Sequence, residues 1–99
     1  MADGEFLALA QDMTISRDAF LRSLPAAVGN VAFVAAGSQF SFREQEKGWR
    51  IDVGALPDLE LGMFRLPRQR VQIFLTGYDE TDARHFLDRF ELYFRRAGG

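Results

Sequence analysis

The residues able to carry chemistry are few and scattered. His85 is the only histidine. A general base needs a partner that orients it and a cleft that holds substrate. Helical spacing offers His85 only Arg89, four positions on, which does not help a base. His85 therefore reads as a surface histidine on a helix. Asp79, Glu80 and Asp82 form the densest acidic group, and such carboxylates can move protons or hold a divalent cation. They fall where a helix begins, where the helix dipole alone favours negative charge, and they lack the spacing of a calcium loop. The chain has no cysteine, which excludes disulfides, thiolate metal sites and Cys nucleophiles. No glycine pattern makes a phosphate-binding or dinucleotide loop. Ser16, Ser23, Ser38 and Ser41 have no nucleophile-elbow context. No catalytic residue, metal ligand or cofactor is indicated, and the expectation is a protein that is not an enzyme.

Arg65, Arg68 and Arg70, flanking Leu66-Pro67, are the one concentrated basic patch. Arginine grips phosphate and carboxylate bidentately, so the patch is a candidate contact for an anion or a partner. The competing reading is a solubilising turn with charges that block edge pairing. A net charge of −2 and the lack of interleaved aromatics argue against a nucleic-acid partner. Charge is uneven. Residues 1–64 hold five basic and nine acidic side chains (net −4), and residues 65–99 hold seven and five (net +2).

The elements that position these residues can be read from periodicity. Ser16 caps a helix with Asp18 in its first turn, and Ile15 and Phe20 have the spacing of a hydrophobic staple. Phe20, Leu21, Leu24 and Val28 make its stripe. Pro25 predicts a kink or restart, and Gly29-Asn30 the end. Five strands are expected at 31–36, 39–45, 49–55, 59–65 and 70–76. Residues opposite each other in antiparallel strands share a face. A Gly37-Ser38 turn then sets Ala35 against Phe40 and Phe33 against Phe42. A loop over 45–48, with Gly48 at positive φ, sets Phe42 against Ile51. A loop around Pro57 sets Val53 against Leu61, and one through Leu66-Pro67-Arg68 sets Met63 against Ile73. The last helix runs from about Glu80 to Arg96, capped by Asp79 or Thr81. It carries Ala83, Phe86, Leu87, Phe90, Tyr93 and Phe94 on one stripe, with Arg95 and Arg96 suited to its C-terminal dipole and Gly98-Gly99 after it.

The expected fold is α+β and two-layered (α-β-β-β-β-β-α). A five-stranded antiparallel meander carries the N-terminal and C-terminal helices on one face. Phe42, Ile51, Leu61, Ile73, Phe86 and Phe90 are expected inside. Residues 14–99 form the domain, and residues 1–13 a loosely packed extension in which 6–10 form at most a short helix. In this register Phe64 and Phe74 lie diagonally adjacent on the helix-free face, with Gln72 opposite Phe64. An aromatic pair on a polar face marks a contact surface, unless residues 5–10 fold back over it.

Ninety-nine residues make one domain. An apolar fraction of 47% is that of a globular protein. No apolar run reaches the ~20 residues of a membrane span, the first residues are acidic rather than signal-like, and the absence of cysteine fits the cytoplasm. Eleven Arg against one Lys reads as the coding bias of a GC-rich bacterial genome. The expected function is a small protein-interaction module whose partner is another protein or a second copy of itself, docked on the helix-free sheet face. The alternative is a carrier of a small ligand, with an apolar cavity between the sheet and the C-terminal helix.

Overall fold

Alternation of apolar and polar residues between Gln39 and Thr76 builds the centre of the molecule. The computed structural model describes residues 4–97. Its elements run β1 (Glu5–Met13), α1 (Arg17–Ala27), β2 (Val34–Ala36), β3 (Gln39–Glu44), β4 (Lys47–Leu61), β5 (Phe64–Thr76) and α2 (Glu80–Ala97). The strands form one antiparallel sheet in the order β1-β5-β4-β3-β2. The α+β class, with five antiparallel strands and two helices, is as expected. Strands β2 to β5 follow one another as a meander, and β1 adds at the far edge beside β5. No helix among the described residues is long and apolar enough to cross a membrane.

One face of the sheet is the core. Phe40 of β3, Trp49, Ile51 and Val53 of β4, and Val71, Ile73 and Leu75 of β5 are all buried. Both helices cover them, and Phe20 of α1 stacks on Phe94 of α2 with ring centres 4.7 Å apart. Ser16 caps α1 by accepting from the Ala19 N–H at 3.1 Å, with Ile15 and Phe20 buried beneath it. The helix runs through Pro25 as one element to Ala27, rather than restarting there. Gly29 and Asn30 at positive φ then end it. Asp79 caps α2 by accepting from the Asp82 N–H at 2.8 Å. Arg96 side-chain placement and Gly98-Gly99 lie outside the described residues.

The individual strands differ from those read in the sequence. Residues 5–13 are not a loose extension but strand β1, whose Met13 is buried in the core. A bulge at Ala8 separates the Leu7–Phe74 pair from the Leu9–Ile73 pair. The extra residue breaks the period of two, so the run looks featureless in sequence. The first expected strand shortens to three residues, although its Gly37-Ser38 turn and the Ala35–Phe40 pair are as expected. The 45–48 loop is a two-residue turn, Gln45-Glu46, with Gln45 rather than Gly48 at positive φ. This moves the partner of Ile51 from Phe42 to Phe40 without changing faces.

The largest correction concerns the third and fourth expected strands, which are one strand. β4 continues past Pro57 through a bulge between Leu56 and Leu59, and reverses at Gly62-Met63 with Gly62 at φ 60°. A two-residue turn with glycine at its first position matches the strand twist. Leu66-Pro67-Arg68 is therefore inside β5. Leu61, expected in the core, is 54% exposed, and Phe42 and Phe86 are half-buried, whereas Ile51, Ile73 and Phe90 are buried as expected.

Candidate functional site

The fused β4 and β5 reach beyond the rest of the sheet. β3 flanks β4 only as far as Asp52, and β1 flanks β5 only as far as Gln69. Val53 is still buried, its N–H donating to the Ser38 carbonyl at 2.9 Å. From Gly54 on in β4 and up to Arg68 in β5, no other strand among the described residues flanks the two, which form a hairpin arm, and the molecule is 50 Å long against 23 and 22 Å across. Within the arm Leu59 pairs with Leu66, Glu60 with Arg65, and Leu61 with Phe64. Alternation puts Leu59, Leu61, Phe64 and Leu66 on one face and Glu60 and Arg65 on the other. Glu60 and Arg65 form an ion pair at 2.9 Å. The apolar face is open, with Phe64 71% and Met63 at the tip 97% exposed. An isolated two-stranded hairpin is marginal in water, and free strand edges invite pairing.

The three expected arginines do not form one patch. Arg65 points to the Glu60 face of the arm. Arg70 and Arg68, at the root of the arm on the helix-free face, both reach Asp12 of β1, at 2.9 and 3.5 Å. Arg68 also donates to the Pro57 carbonyl at 3.4 Å. The hydrogen bond from Arg70 holds the Asp12 carboxyl below its ordinary range and raises Arg70 in turn. The missing signal was β1 itself: without that strand, Asp12 has no place beside the arginines.

Phe64 and Phe74 are not neighbours. They lie ten positions apart on one strand, roughly 33 Å. Phe74 is half-buried beneath the Arg50 guanidinium, 4.1 Å from its ring centre, and sits opposite Leu7 of β1. Arg50 is held in turn by Glu5 at 3.0 Å and Asp52 at 3.3 Å. The contact to Asp52 is off hydrogen-bond alignment, leaving Arg50 Nε and Asp52 Oδ1 buried without a hydrogen bond. So residues 5–10 do lie beside Phe74. Gln72 faces Asp52 and Ala10 and lines a shallow 450 Å³ depression over Gly54. The structure separates Phe64 from both Gln72 and Phe74.

A second concave feature lies at the other end of β4. Phe42, Trp49, Tyr78 and Phe86, with Val28 and Val31, line a cleft of about 900 Å³. Its mouth carries Glu44, Gln45, Glu46 and Lys47. Lys47 donates to Asp82 at 2.8 Å and lies 4.7 Å from the Tyr78 ring centre. The bond to Asp82 raises Lys47 and lowers Asp82, and burial raises Tyr78. The middle of the helix–sheet interface is filled instead, with Phe90 and Phe94 ring centres 4.5 Å apart. His85 is exposed. No group of three metal-ligating side chains comes together among the described residues.

No protein-family model, curated protein or solved structure matches this chain.

Proposed function

We propose that this chain is a protein-interaction module that binds through the β4–β5 arm. One observation carries the reading: four apolar side chains, Leu59, Leu61, Phe64 and Leu66, line one face of a hairpin that no other element among the described residues covers. A contiguous exposed apolar face of this kind marks an interaction site, and the free edges beside it add backbone donors and acceptors. The helix-free face of the sheet body is a poorer candidate, because Arg50 and Leu7 already occupy Phe74 and Asp12 already occupies Arg68 and Arg70. The cytoplasm is the setting we favour, supported by the lack of cysteine in the sequence.

Cross-linking in the native cell tests the reading. Wild type should give adducts that are lost from the Leu61→Ser, Phe64→Ser double variant, while the melting temperature stays near that of wild type. Identical adducts from both proteins would refute it. The aromatic cleft favours a second reading, carriage of a small apolar ligand, since its volume falls within the ~300–1,000 Å³ usual for ligand sites. Native mass spectrometry of the purified protein would show an added mass if that reading holds, and the bare chain if it does not.

A further inference from the structure

We infer that the arm of one copy docks in the aromatic cleft of a second copy, so that the chain associates head to tail. The inference rests on the arm being the contact element, and names its occupant. The two features lie at opposite ends of β4. The cleft is built around Lys47 and Trp49 at its start, and the arm tip follows Leu61 at its end. Fifteen residues of strand span roughly 50 Å, which equals the long dimension of the molecule. No copy can therefore fill its own cleft with its own arm, but each copy offers both halves of one contact.

The chemistry of the two ends is complementary. The tip presents Met63 and Phe64, both open to solvent. The cleft presents Phe42, Tyr78 and Phe86, half-buried against Trp49. Thioether sulfur packs favourably at aromatic ring edges, and aromatic rings pair in offset or edge-on geometry. Beside the tip, Arg65 is held by Glu60 alone among the described residues, in a pair with side chains 70% and 64% exposed. Such a pair exchanges readily for another carboxylate. At the mouth of the cleft, Glu44 and Glu46 are exposed and have no ion-pair partner among the described residues. Lys47, between cleft and solvent, is already committed to Asp82. A docked tip places Arg65 near two unpaired carboxylates. Contact between two different patches is heterologous, and unless the rotation closes a ring it adds copies without limit.

Sedimentation and light scattering on three proteins test this. Wild type should rise in mass with concentration to twice the monomer mass, where two copies exchange arms, or beyond it, where the contact stays open, and fall back as salt screens Arg65. The tip variant Met63→Ser, Phe64→Ser should remain monomeric at the same concentrations. So should the rim variant Glu44→Arg, Glu46→Arg, whose association should weaken at least tenfold. Both change exposed side chains, and unchanged thermal melts confirm that they fold. Mixed together, the two variants should form a 1:1 dimer and stop there, because only one arm and one cleft remain intact between them. A wild type that stays monomeric overturns the inference, and arm-dependent cross-links to another protein would then keep the arm as the contact element. A rim variant that still dimerises, or a mixture that stays monomeric, also overturns it, in favour of arms paired to arms in the first case.

Discussion

Asp12 ties β1 to the root of the arm by charge, and its behaviour can be followed with pH. Its folded value lies below the ordinary 3.8 because Arg70 donates to it. A carboxyl depressed by folding contributes stability that is fully present above its unfolded value and is lost as pH falls through its folded value. Asp12→Asn should therefore lower the melting temperature at neutral pH. The gap from wild type should close as pH falls below about 3.8, and narrow with added salt. Gly77 is a sharper constraint. It sits at φ 74°, and a Cβ there would collide with the Glu46 carbonyl. Gly77→Ala should cost roughly 1–3 kcal/mol, from left-handed strain and displacement of the Gln45-Glu46 turn, read as a lowered denaturation midpoint. Phe64 and Phe74, alike in sequence, should separate in the same assay. Phe74→Ser loses the Arg50 stack and the Leu7 contact, and should cost about 1–3 kcal/mol. Phe64→Ser, at an exposed tip, should stay within about 0.5 kcal/mol.

At the scale of elements, the two helices and the first hairpin were readable because each is marked locally. Ser16 caps, Gly29-Asn30 stops, Asp79 caps, and Gly37-Ser38 turns, all where structure places them. What escaped was marked only by long-range pairing. Pro57 and Pro67 look like loop residues, since neither has an N–H for a ladder. Yet they sit where the β4 bulge already interrupts pairing, so the strands continue past them. Leu59, Leu61 and Phe64 alternate like core residues, and alternation does not say whether anything covers a face. That is why Leu61 was expected inside, and why the one feature of Phe64 that survives is its exposure. The stripe of α2 was read correctly at Phe90, which is 1% exposed between Phe94 and the sheet. Phe90→Ala should cost roughly 3–5 kcal/mol by transfer and cavity terms. A loss below about 1 kcal/mol in a denaturant titration would mean that α2 does not depend on that face.

Considered whole, the molecule is a sheet closed at one edge by its earliest strand. Glu5 of β1 pairs with Thr76 at the end of β5, so this edge cannot form until nearly the entire sheet has been made. During synthesis at ~5–20 residues per second, Glu5 precedes Thr76 by roughly 4–14 s. Through that interval the Phe6–Ala10 run has no strand to pair with. Closing so long a loop is slow relative to zipping adjacent hairpins. The β4–β5 hairpin is therefore expected to nucleate folding, with β1 arriving after the rate-limiting step. Leu9→Ala in β1 should leave the refolding rate nearly unchanged and speed unfolding, whereas Ile73→Ala in β5 should slow refolding. Stopped-flow chevrons on the two variants measure both arms. The first of these five strands to be made is thus the latch that sets how long the finished fold lasts, while the rate at which the fold appears is decided some sixty residues downstream.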